Sequence, residues 1–206
     1  VYNEYEVILV KLIKREKYLN ELIGVIGTPD IKVITGIRRS GKSKLLEAFK
    51  KYIEENIKDY NIIHINYSLS KFDKLKECHK LYEYIESNYR ENMNNFVLID
   101  EVQMCDGFET AINWIHAEEK YDIYITGSNA FLLSSDLATL FTGRTFPIEV
   151  YPFSFSEFMK YYGYDDVDKV FDEYVIQGGM AGSYVYTEQA DKYKYIEAVS
   201  YTHLTL

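Results

Sequence analysis

An α/β fold with a mainly parallel sheet is predicted by three features of the 206-residue chain. Short strand-like runs alternate with segments of helical periodicity. One run, "FVLID" (96–100), is apolar until its last residue, as expected of a strand buried on both faces. A glycine-rich loop at 36–43 sits between a predicted strand and a predicted helix.

Taken in order, Ile8, Leu12, Leu19, Leu22, Ile23 and Ile26 recur at helical period, and "GTPD" (27–30) ends that helix in a turn. "IKVIT" (31–35) reads as a strand. Leu45, Leu46, Phe49, Tyr52 and Ile53 then form one face of a second helix. "NIIHINY" (61–67) is strand-like and "KLYEYIESNYREN" (80–92) helix-like; 96–100 is the next strand and 108–119 the next helix. "DIYIT" (122–126) and "TFPIEVY" (145–151) complete the strands. From about Phe153 the pattern turns helical, so the expected division is a core over 1–152 and a partial helical subdomain over 153–199. The closing "SYTHLTL" (200–206) does not continue the helical pattern and is expected to be a non-native tail; with Val at position 1, the chain reads as a fragment.

Composition narrows the function classes. A net charge of −9 gives no broad electrostatic footprint for nucleic acid. No apolar run approaches the roughly 20 residues that span a bilayer, and no signal peptide is visible. Cys78 and Cys105 lack metal-site or redox spacing, so a cytoplasmic setting is expected. The four histidines are scattered, which argues against zinc. The 21 tyrosines follow no fixed spacing and read as compositional bias rather than an interaction surface.

Four stretches carry chemistry. Gly36-Ile37-Arg38-Arg39-Ser40-Gly41-Lys42-Ser43 has the frame of a phosphate-cradling loop. Its glycines let backbone N–H groups turn toward phosphate oxygens, and the following helix adds its N-terminal partial charge. Lys42 is placed to reach the β- and γ-phosphates of ATP, and the Ser43 hydroxyl to ligate Mg²⁺. Arg38 and Arg39 either add charge beside the phosphates, contact a neighbouring subunit, or are solvated loop residues. In "FVLIDEVQ", Asp100 at a strand end suits Mg²⁺ binding through the metal's water shell, and Glu101 suits polarisation of an attacking water. Gln103 is either a polar neighbour of the γ-phosphate or an ordinary loop residue. In "YITGSNAFLL", Ser128 or Asn129 could bond the γ-phosphate or the water, or merely cap a helix. Arg144 in "LFTGRTF" could stabilise transition-state charge within a subunit or across an interface, or be a surface residue.

Together with "IKREKYLNEL" and "PFSFSEF", these stretches resemble a group of bacterial and archaeal AAA-type ATPases, over about 14–180. The resemblance implies a P-loop core with a five-stranded parallel sheet and a helical lid beginning at 153. It assigns Lys42 and Ser43 to ATP and Mg²⁺, Asp100 to Mg²⁺, Glu101 to water activation, and Ser128 or Asn129 to a sensor position. It also implies a C-terminal domain resembling endonuclease folds, absent from this chain. Two departures stand out: Phe153 replaces a usual Leu, and Ala181 a usual Pro.

The expected function is Mg²⁺-dependent ATP hydrolysis coupled to lid motion, with a homo-oligomer or the C-terminal domain as partner. The alternatives are a nucleotide-dependent binding module without turnover and a small-molecule kinase. Glu101 and the TGSN and TGR elements count against the kinase.

Overall fold

The computed structural model describes residues 14–127, 141, 143–163 and 166–204. Their contacts divide into two compact units, one running from Glu16 to Val150 and one joining Arg15 to the described residues from Tyr151 onward.

The first unit is a five-stranded sheet in the order β2-β3-β4-β1-β5. Its strands are β1 Ile31–Thr35, β2 Tyr60–Asn66, β3 Asn94–Asp100, β4 Tyr121–Thr126 and β5 Thr145–Glu149. Every pairing is parallel. The sheet carries α1 (Glu16–Gly24), α2 (Lys42–Asn56), α3 (Cys78–Ser87) and α4 (Phe108–Ala117). Side chains alternate across it, so each strand feeds two cores. Ile34, Phe96, Leu98, Tyr124 and Ile148 pack with Leu19 and Leu22 of α1 and Leu45, Phe49 and Ile53 of α2. On the other face Val33, Ile65, Val97, Ile99 and Ile125 pack with Leu81 and Ile85 of α3 and Ile112 and Ile115 of α4. Burial on both faces explains why the central strands read as apolar runs.

Lys32 is the exception among them. Fully buried on β1, its Nζ donates to Asp122 Oδ1 at 2.6 Å and to Thr28 O at 2.6 Å. Asp122 Oδ2 accepts from the Gly27 N–H. The pair therefore ties the turn before β1 to β4, at the amino edge of the sheet.

The second unit holds α5 (Phe155–Tyr162), α6 (Val167–Gln177) and α7 (Gln189–Leu204). Its small core is aromatic: Phe158 and Tyr184 are buried, with Phe153, Phe155, Tyr161, Tyr162 and Tyr174 packed against them. Part of the tyrosine excess thus has a packing role. Ser154 opens α5 with a reciprocal capping box to Glu157. Arg15 Nε and Nη2 donate to the Glu157 carboxylate at 2.8 and 3.0 Å, while its Nη1 donates to Tyr151 O. A side chain at Gly179 would run into the Phe153 carbonyl oxygen. Ala181 opens a 3₁₀ turn, a first position that also suits the proline expected there.

Among the element ends that differ from their sequence reading, three stand out. α3 ends at Ser87 rather than 92, because asparagine side chains claim the backbone beyond it. Asn88 Nδ2 donates to Tyr84 O, and the buried Asn95 donates to Arg90 O and Met93 O while accepting from Arg90 N–H. β5 stops at Glu149, where its pairing with β1 ends. α7 continues to Leu204, past the expected stop at 199; its Ser200 hydroxyl bonds back to Ile196 O within the helix. Ile8 and Leu12 of the first expected helix lie outside the described residues.

Candidate active site

The loop at 36–43 leaves the carboxyl end of β1, the strand lying between β4 and β5, where ligands of open parallel sheets bind. Its backbone alternates in hand: φ is positive at Gly36 (146°), Arg39 (65°) and Gly41 (98°). Such alternation turns successive N–H groups to one side, which makes an anion-binding concavity. Gly36 is fixed by space as well, since a Cβ there would collide with the Val150 carbonyl oxygen. Gly41 caps α2, whose first residue is Lys42.

Lys42 is buried, and its Nζ donates to Gly36 O at 2.9 Å and Ile37 O at 3.0 Å. Burial pulls its pKa below the ordinary lysine value, with the Arg38 charge adding to the effect and Glu101 and Asp100 opposing it. Arg38 and Arg39 are both exposed. Arg38 is thus near enough to contribute positive potential, whereas Arg39 takes part through its left-handed backbone.

The acids sit one strand away from β4 and two from β1. Asp100 ends β3 and is 2% exposed. Its Oδ1 accepts from Ser43 Oγ at 3.1 Å and from Thr126 Oγ1 at 2.5 Å. Thr126 ends β4 opposite Ile34 of β1, and its oxygen also accepts the Glu101 N–H at 3.1 Å. One threonine therefore holds both acids of the pair. Glu101 has φ 59° and ψ 51°, a left-handed conformation uncommon outside glycine, asparagine and aspartate. Its Oε2 accepts from Gln103 Nε2 at 2.5 Å.

The structure thus brings Gly36, Arg38, Arg39, Ser40, Gly41, Lys42, Ser43, Asp100 and Glu101 to one edge of the sheet. It does not bring Arg144 there. Arg144 is exposed and precedes β5 at the amino edge, its carbonyl accepting from Ile31 N–H at 2.8 Å. The loop begins about 16 Å of strand further on, at the level of Glu149. Arg144 and the loop therefore stand at opposite ends of the paired strands β1 and β5. Ser128 and Asn129 lie outside the described residues. Thr126 was missed in the sequence, although its place in "YITGSN", just before the polar turn, was the available signal.

Oxygen donors alone, a hydroxyl and a carboxylate, face each other at Ser43 and Asp100, a set that suits a hard cation such as Mg²⁺. Among the described residues no group of three or more His, Cys, Asp or Glu could hold a metal ion. A cation here would complete its shell with water or phosphate oxygens.

Comparisons with known proteins agree with this architecture. A family described as "AAA domain" matches residues 28–159. An uncharacterized protein of Haemophilus influenzae is 38% identical over 82% of this chain and 44% of its own length. One from Methanocaldococcus jannaschii is 33% identical over 76% of this chain and 35% of its own. The chain therefore spans less than half the length of the curated relatives it matches. Among solved structures, AMPPCP-bound DnaA from Aquifex aeolicus superposes with a TM-score of 0.52 at 15% identity, covering 89% of this chain and 59% of that one. Domain III of DnaA from Thermotoga maritima gives 0.53 at 16% identity, covering 85% and 84%. These structures are alike in fold. No described helix is long and apolar enough to cross a membrane. By the family match over 28–159, the chain belongs to the AAA domain family, whose membership supports nucleotide binding.

Proposed function

We propose that the chain binds ATP with Mg²⁺ at the carboxyl edge of its sheet and hydrolyses it. The observation that carries this reading is the pairing of a phosphate-type loop with two consecutive acids held by one threonine, Asp100 turned to Ser43 and Glu101 beside it. A site for binding alone has no need of the second acid.

In this reading the loop N–H groups and the amino end of α2 cradle the phosphates. Lys42 exchanges its two carbonyl partners for phosphate oxygens, which also relieves the burial penalty on its charge. The Ser43 oxygen can face a cation while its O–H keeps donating to Asp100. When bound there, Mg²⁺ supplies neutralisation of charge on the β- and γ-phosphate oxygens. Glu101 polarises a water. The water oxygen bonds to the γ-phosphorus, the bond to the β–γ bridging oxygen breaks, and its electron pair leaves with ADP. The water's proton passes through Glu101 to the phosphate product. Ser128 or Asn129 serves as sensor of the γ-phosphate, and Arg144 serves the site of a neighbouring copy.

Residues 153–199 act as a lid, and the remaining length of the longer relatives acts as the driven part. A nucleotide can bias such a part only by contacting its two states differently. A cytoplasmic setting fits the free cysteines. The net charge of −9 gives no support for nucleic acid as a partner.

ATP labelled in its γ-phosphate tests the reaction class. Label released as inorganic phosphate, and only with Mg²⁺, is the expected result. Label transferred to an added small-molecule acceptor would point to a kinase instead.

A further inference from the structure

The sequence leaves Gln103 between a polar neighbour of the γ-phosphate and an ordinary loop residue, and its geometry bears on that choice. It sits on the 3₁₀ turn Val102–Met104, which starts at Glu101. The turn is closed by the Met104 N–H on Glu101 O and the Cys105 N–H on Val102 O, each at 3.0 Å, and anchored by fully buried Val102. Gln103 Nε2 donates to Glu101 Oε2 at 2.5 Å. A carboxylate oxygen only accepts, so this contact fixes which end of the amide is nitrogen. The other end, Oε1, is buried and has no hydrogen-bond partner among the described residues. A buried carbonyl-type oxygen calls for a donor. Beside a carboxylate that is itself an acceptor, the donor that fits is water, which can give one proton to each.

We propose that Gln103 positions the attacking water, holding Glu101 with its Nε2–H and accepting from the water with its Oε1. This rests on the hydrolytic reading above. Glu101 is then pinned twice: its backbone N–H by Thr126 and its carboxylate by Gln103. A water lodged between Glu101 and Gln103 keeps a lone pair for the γ-phosphorus while both its protons are engaged. Hydrolysis that depends mainly on positioning gains most from such a second acceptor.

The test uses the full chain with Gln103→Leu, which removes donor and acceptor at similar size, and Gln103→Glu, which keeps acceptors and removes the donor. Affinity for a fluorescent ATP analogue and kcat are measured side by side with the parent. Expected for both variants is affinity within about twofold of the parent and kcat lower by at least about tenfold, one oriented hydrogen bond's worth of transition-state stabilisation. Parental kcat in Gln103→Leu overturns the assignment and leaves hydrolysis standing. Loss of affinity together with kcat also overturns it, since Gln103 would then be holding the loop rather than the water. A parent that binds ATP without turnover overturns the hydrolytic reading and this proposal with it.

Discussion

At the scale of single residues, the account turns on Lys42. Its ammonium is buried and bonded to two carbonyls of its own loop, so binding a phosphate is an exchange of partners rather than a gain from bare solvent. Lys42→Ala should weaken ATP binding roughly 10- to 100-fold, the worth of one or two charge-assisted hydrogen bonds. Titration calorimetry with ATP checks it, and equal affinity would remove Lys42 from the phosphate site. The loop was legible in the sequence because its glycines answer local demands that show in residue type: Gly36 lies against Val150 O, and Gly41 caps α2 in a left-handed conformation. Thr126 was not read as part of the site, and Gln103 was left between a neighbour of the γ-phosphate and an ordinary loop residue. Their roles arise from parallel pairing, which sets the end of β4 beside the end of β3, and from the left-handed turn at Glu101; along the chain the only signs are the polar turn after Thr126 and the spacing of Gln103 from the acids.

At the scale of elements, the clearest prediction concerns α5. Burial alone would raise the Glu157 carboxyl, but hydrogen bonds from Arg15 and from the Ser154 N–H outweigh it and hold the pKa below the ordinary glutamate value. A carboxyl whose folded pKa lies below its unfolded one stabilises fully above the unfolded value, and that contribution is lost as pH falls through the folded one. Amide-exchange protection at Phe158 should therefore drop on acidification through that range. In Glu157→Gln it should be lower at neutral pH and nearly flat in acid. Protection in the parent that stays constant through the range would contradict the clamp. The strands were read within two residues of their observed ends because apolar runs mark them. α3 was read too long, since its periodicity continues past Ser87 and only the side chains of Asn88 and Asn95 stop it. The Arg15–Glu157 pair, 142 residues apart in sequence, left no sign in either segment alone.

At the scale of the molecule, the order β2-β3-β4-β1-β5 sets the ends of β1, β3 and β4 along one edge, and three separate motifs meet there. The same topology sends Arg144 to the opposite edge. From β5 the chain passes through Val150 directly into the second unit. The central claim is that Glu101 converts a nucleotide-binding edge into a hydrolytic one. The most direct measurement is single-turnover phosphate release from ATP with Mg²⁺, in the parent and in Glu101→Gln, with nucleotide affinity measured alongside. The account predicts release in the parent, equal or tighter ATP binding in the variant, and release slowed at least about 100-fold. A Glu101→Gln variant that releases phosphate at the parental rate would contradict it.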